Sequence, residues 1–140
     1  MSIAYSPSAT AIKPSIGTIW RNGITAALIA AVVNVILFFV GQALNAFPST
    51  VITPMGQPIT VGPVAIVTIL SILVGTLGYT ILSRLTANSN RWFTIIAAVV
   101  LIGMAITPFT LPGAPVLMIV ILELMHLVAG GTAIYFLTRS

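Results

Sequence analysis

Cysteine is absent from this chain, and acidic side chains nearly so. Glu123 is the one carboxylate and His126 the one imidazole among 140 residues, of which only 4% are charged. Without cysteine there is no disulfide scaffold, no thiolate nucleophile and no thiolate metal ligand. Soluble domains carry about 25% charged residues, so a water-soluble globule is excluded. Disorder throughout is excluded as well, because 59% of the residues are hydrophobic and disordered chains are poor in such residues. Glu123-Leu-Met-His126 has the spacing of half a di-iron motif, but a di-iron bundle needs a second copy and two further glutamates. Zinc lacks ligands in the same way, so no metal is expected. There is no Gly-x-Ser-x-Gly elbow and no phosphate-cradling glycine loop, and no catalytic residue is assigned. The five cations, Lys13, Arg21, Arg84, Arg91 and Arg139, are nowhere closer than seven residues apart. They form no basic patch, so a nucleic-acid partner is not expected.

What the sequence does have is four long apolar runs: Ile24 to Leu44, Val64 to Leu82, Phe93 to Phe109 and Val116 to Leu137. Each is roughly 20 residues, which at a rise of about 1.5 Å per residue crosses a hydrocarbon core of about 30 Å. Period-two alternation is missing, which argues against a transmembrane barrel. In lipid each backbone group must be satisfied within its own segment, so the runs read as α-helices. The expected fold is an all-α, integral membrane four-helix bundle running up-down-up-down. Its helices are placed at about 20–45, 63–84, 91–109 and 115–138, as one domain over 18–140 behind a flexible arm at 1–17. Pro63 and Pro115 suit first helical turns, and Pro108 ends or bends the third helix. The first outer loop carries Val51-Ile52-Thr53 and Pro58-Ile59-Thr60-Val61 about a Pro/Gly turn. It reads as a short β-hairpin, or, given Pro48, Pro54 and Pro58, as an irregular loop.

The linkers give an orientation. All five cations fall on one side of such a bundle, while the loops Asn45 to Gly62 and Thr110 to Pro115 carry no charge. The positive-inside rule then places both termini in the cytoplasm, with the chain multi-pass in the membrane. Trp20 beside Arg21, and Trp92 beside Arg91, are the expected interface anchors.

A charged side chain at mid-bilayer costs about 3 kcal/mol and turns inward. Glu123 and His126, three apart, share a helix face, and Gly130 continues that stripe toward a neighbouring helix. Counted along the helices, Asn34 and Ser71 lie near the height of Glu123. A polar layer is therefore expected in which Asn34, Ser71 or Thr68, Glu123 and His126 satisfy one another. Small residues at Ala26, Ala27, Ala30, Ala31, Gly75, Gly78, Ala129 and Ala133 permit close helix packing, within the chain or in a homodimer. Three functional readings follow. The first is a non-enzymatic membrane protein, either an accessory subunit of a larger complex or a binder of a small hydrophobic ligand, with no cofactor. The second is a cofactor protein in which His126 ligates haem or a chlorin. The third is a small proton-coupled transporter using Glu123 and His126.

With Ala30-Ala31-Val32-Val33-Asn34 in the first helix and Leu124-Met125-His126-Leu127-Val128-Ala129 in the fourth, the chain resembles a family of small bacterial four-helix integral membrane proteins of unknown function. Its long uncharged outer loop and basic inner turn fit the same resemblance, which spans most of residues 18–139. The resemblance implies the architecture and no reaction. It points to Asn34 and His126 ahead of Glu123, an acid not general to that family.

Overall fold

Ser15 opens the first helix. Its backbone is extended and its Oγ accepts the Thr18 N–H at 3.1 Å, which satisfies one of the donors a helix start leaves open. The structure, a computed structural model, describes residues 13–140. The arm read over 1–17 lies outside the described residues as far as residue 12. α1 runs from Ile16 to Ala43, α2 from Val61 to Leu85, α3 from Ser89 to Met104 and α4 from Val116 to Leu137. A 3-10 turn at Thr107–Thr110 follows α3; Pro108 within it has no N–H to continue an α-helix. α1 ends in a Schellman turn. Asn45 is left-handed (φ 55°) where glycine is usual, and the Ala46 N–H reaches back to the Gly41 carbonyl at 2.8 Å.

Among the described residues four helices are long and apolar enough to cross a membrane, and they form an all-helical membrane bundle. α1 and α3 do not touch. α1 lies along both α2 and α4, while α3 covers the seam where α2 meets α4 on the other side. The buried face of α1 is almost entirely small: Gly23, Ala26, Ala27, Ala30, Ala31 and Gly41, interrupted by Asn34 and Phe38. Small side chains let backbones approach and so maximise dispersion contact where no hydrophobic drive acts between helices. Of α3, only Ser89 and Phe93 are buried.

Two apolar clusters form the interior. The one at the charged end gathers Ile19, Ala26, Ile72, Tyr79, Phe93 and Leu137. The one at the uncharged end gathers Phe38, Met118, Ile121 and Met125 with the loop residues Ala46, Phe47 and Val51. The outer loop therefore plugs the bundle. It contains no strand, which corrects the hairpin reading in favour of the irregular one. One turn closes at Thr53–Gly56, and the Thr53 N–H bonds the Gln57 carbonyl at 3.0 Å. The ladder stops there. Pro58 has no N–H to add a rung, and the Val51 N–H is taken by the Pro48 carbonyl at 3.2 Å.

All five cations sit at the end where α1 and α3 begin and α2 and α4 finish. That end is tied by polar bonds. Asn22 Nδ2 donates to the Phe136 carbonyl and to Ser140 Oγ. The Tyr79 hydroxyl donates to Asn90 Oδ1, and Asn90 Nδ2 to the Thr138 carbonyl at 2.9 Å. Trp20 is half-buried and Trp92 exposed at this end, beside exposed Arg21 and Arg91. Arg139 lies over the Tyr135 ring at 3.8 Å.

Candidate functional site

Asn34 sits between the two clusters and is 2% exposed. Its Nδ2 donates to Thr68 Oγ1 at 3.0 Å and to the Met125 carbonyl at 3.2 Å, so one side chain of α1 joins α2 and α4. Thr68 in turn gives its hydroxyl proton to the Val64 carbonyl at 2.8 Å. Both amide hydrogens of Asn34 thus meet acceptors, which fixes the orientation of the amide. Its Oδ1 is buried and has no partner among the described residues.

The expected layer of four mutually bonded groups is not formed. Ser71 is exposed and gives its proton to the Val67 carbonyl of its own helix at 2.7 Å; Thr68 takes the place beside Asn34. Glu123 and His126 are half-buried on α4. Glu123 Oε1 and His126 Nδ1 are buried and have no partner among the described residues. The reason is rotational. Three residues along a helix turn a side chain by about 60° from alignment, so only one of Thr68 and Ser71 can face Asn34. Asn34→Ala is expected to cost about 1 kcal/mol, the sum of two modest intramembrane hydrogen bonds, since it strands no partner. Reversible unfolding in micelles measures this, and an unchanged midpoint would show the two bonds to be worthless.

His126, Asn34, Thr68 and Ser71 all border one groove of about 590 Å³. It lies between α2 and α3 over the flank of α4. It reaches from Met55 and Gln57 of the outer loop to Leu82 and Phe93 near the charged end. Asn34 meets it through the seam between α2 and α4. Glu123 does not border it. Gly78 faces it with nothing within 4 Å of an added Cβ, so this glycine makes no close helix contact within the chain. Gly130 does serve close approach, because an added Cβ would overlap the Leu101 side chain of α3. Sequence reasoning missed the groove itself and the Tyr79–Asn90–Thr138 bridge that closes its charged end. Asn90 beside Arg91 and Trp92 was a signal for the latter.

An apolar exterior, four apolar helices and a mid-span groove with a few polar groups define a small four-helix membrane protein. The chain belongs to the DUF6069 family, a family of unknown function, whose model matches residues 14–140. No curated protein and no solved structure matches it.

Proposed function

We propose that this chain is a non-enzymatic protein of the bacterial cytoplasmic membrane, both termini in the cytoplasm, that holds a small hydrophobic ligand between α2 and α3. The observation that carries the reading is the groove. At about 590 Å³ it falls within the roughly 300–1,000 Å³ of small-molecule sites, which are mostly apolar with a few convergent polar groups. Here the apolar walls include Val67, Ile96 and Val100, and the polar groups are His126, Ser71 and Asn34. The orientation rests on five cations at one end against uncharged loops at the other. The same groove serves whether the chain acts alone, as a homodimer or as an accessory subunit of a larger membrane complex.

The test is binding of a fluorescent fatty alcohol to the purified chain in mild detergent. Gly78→Leu puts a side chain into the groove at a position where an added Cβ has nothing within 4 Å, and it replaces a poor helix former by a good one. It is expected to keep the fold and weaken binding at least about tenfold, the size of about 1.4 kcal/mol. Wild-type affinity in Gly78→Leu would remove the groove as the site. The absorption spectrum of the same preparation addresses the cofactor alternative: a Soret-region band lost in His126→Ala would give the imidazole to haem or a chlorin. Proton-coupled flux in liposomes, lost in Glu123→Gln with His126→Ala, would instead favour transport.

A further inference from the structure

Asn34 is the most buried polar side chain bordering the groove between α2 and α3, at 2% exposed. Its two amide hydrogens go to Thr68 Oγ1 and the Met125 carbonyl, so Oδ1 is the part of the amide left to bind anything. An amide oxygen can accept two hydrogen bonds, and this one accepts none from the described residues. A buried acceptor left unmade costs more than an average hydrogen bond returns. The hydroxyls beside it cannot help, because Thr68 and Ser71 have given their hydrogens to the Val64 and Val67 carbonyls. His126 Nδ1 also lacks a partner among the described residues, but an imidazole nitrogen gives or takes a hydrogen according to its tautomer and so selects neither kind of guest. Water is scarce at hydrocarbon depth. A hydrogen for Oδ1 falls to a bound molecule.

The two ends of the groove differ. Toward the charged end its walls are Gly75, Gly78, Leu82, Phe93, Ala97 and Ala133, none with a polar side-chain atom. An added Cβ at Gly75 would meet the Phe93 ring no closer than 4.0 Å, and one at Gly78 would meet nothing. From Thr68, which is bonded to Asn34, to Gly78 the helix descends about 15 Å, room for a hydrocarbon tail. The outer end is bordered by Thr53 and Gln57 of the loop, so polar groups return at the mouth.

On the reading that the groove is the ligand site, on which this inference rests, we propose that its ligand is a long-chain lipid bearing a hydroxyl. The O–H donates to Asn34 Oδ1 at mid-span, and the tail lies along Gly75 and Gly78 toward the charged end. Asn34 is then the residue that tells a hydroxylated chain from a plain one. An ether of the same shape fills the apolar walls equally well and leaves Oδ1 unmade.

Tritiated hexadecanol and its tritiated methyl ether are each titrated onto the full chain in mild detergent and read by scintillation proximity, with partition into empty micelles subtracted. The wild-type chain is expected to hold the alcohol about tenfold more tightly than the ether, the size of one hydrogen bond to a buried acceptor. Asn34→Ala is expected to bring that ratio to about one by weakening the alcohol alone, whereas a merely structural loss would weaken both ligands together. Gly78→Leu fills the space for the tail and leaves the acceptor, so it is expected to weaken both ligands alike and keep the ratio. Equal affinity for alcohol and ether in the wild-type chain, or an unchanged ratio in Asn34→Ala, overturns the assignment of a hydroxylated ligand while leaving the groove as a site for apolar molecules. The wild-type ratio decides alone if Asn34→Ala does not fold. Binding of neither ligand, or wild-type affinity for both in Gly78→Leu, removes the groove as the site and the hydroxylated ligand with it.

Discussion

Gly23→Ala is expected to destabilise the bundle by about 2 kcal/mol, the range of overpacked cores, and Gly23→Leu to abolish the folded state in micelles. A Cβ on Gly23 would overlap the side chain of Thr76, whose own Cβ would stand 2.9 Å away. Neither partner can yield. Thr76 is fully buried, and its Oγ1 is held on the Ile72 carbonyl at 2.8 Å, so α1 and α2 must separate. Separation loses dispersion contact along the whole pair of helices, and that contact is what joins them in lipid. Gly131→Ala is the control: an added Cβ there meets nothing within 4 Å, so it is expected to be neutral or to gain up to about 1 kcal/mol of helix propensity. Thr76→Ala in the Gly23→Ala background is expected to restore part of the loss, giving a coupling energy that a double-mutant cycle reads directly. Equal stability of Gly23→Ala and wild type in reversible unfolding would show that α1 and α2 are not in this contact.

Phe47→Ala is expected to cost about 3 kcal/mol, as for a buried phenylalanine truncated in a packed core. The ring is stacked on Phe38 with centroids 5.2 Å apart and an interplanar angle of 23°, and it fills the space over Gly41. It is the largest of the loop side chains in that cluster, beside Ala46 and Val51. The loss should therefore concentrate in the loop. Amide exchange at Val51 is expected to accelerate strongly, while exchange at Asn34 and Thr68 changes far less. Uniform acceleration across the bundle would mean that the plug and the helices unfold as one unit.

The four helices and the gathering of every cation at one end were legible in the sequence because burial in lipid writes itself into run length and charge placement. The inward stripe of α1 was nearly as legible, since Gly23, the alanines and Asn34 repeat at helical spacing. Which face of α2 turns inward was not. Val67, Thr68 and Ser71 are flanked by aliphatic residues on all sides, and lipid and protein interior reward an apolar side chain almost alike. Hydropathy therefore could not choose Thr68 over Ser71. Glu123 and His126 were read correctly as neighbours on one helix. Which groups stand opposite them depends on how the neighbouring helices are placed about α4, and no local pattern encodes that placement.

The hydroxyls beside the groove have a consequence for any guest. Thr68 and Ser71 have each turned their proton back onto their own helix, and Asn34 has spent both of its hydrogens on neighbours. What is left at mid-span is a basin of lone pairs, with electron density on offer and scarcely a hydrogen to share. An alcohol, a phenol or an ammonium would be welcomed there, because it brings its own protons. An ester or a carboxylate would find only the imidazole to greet it.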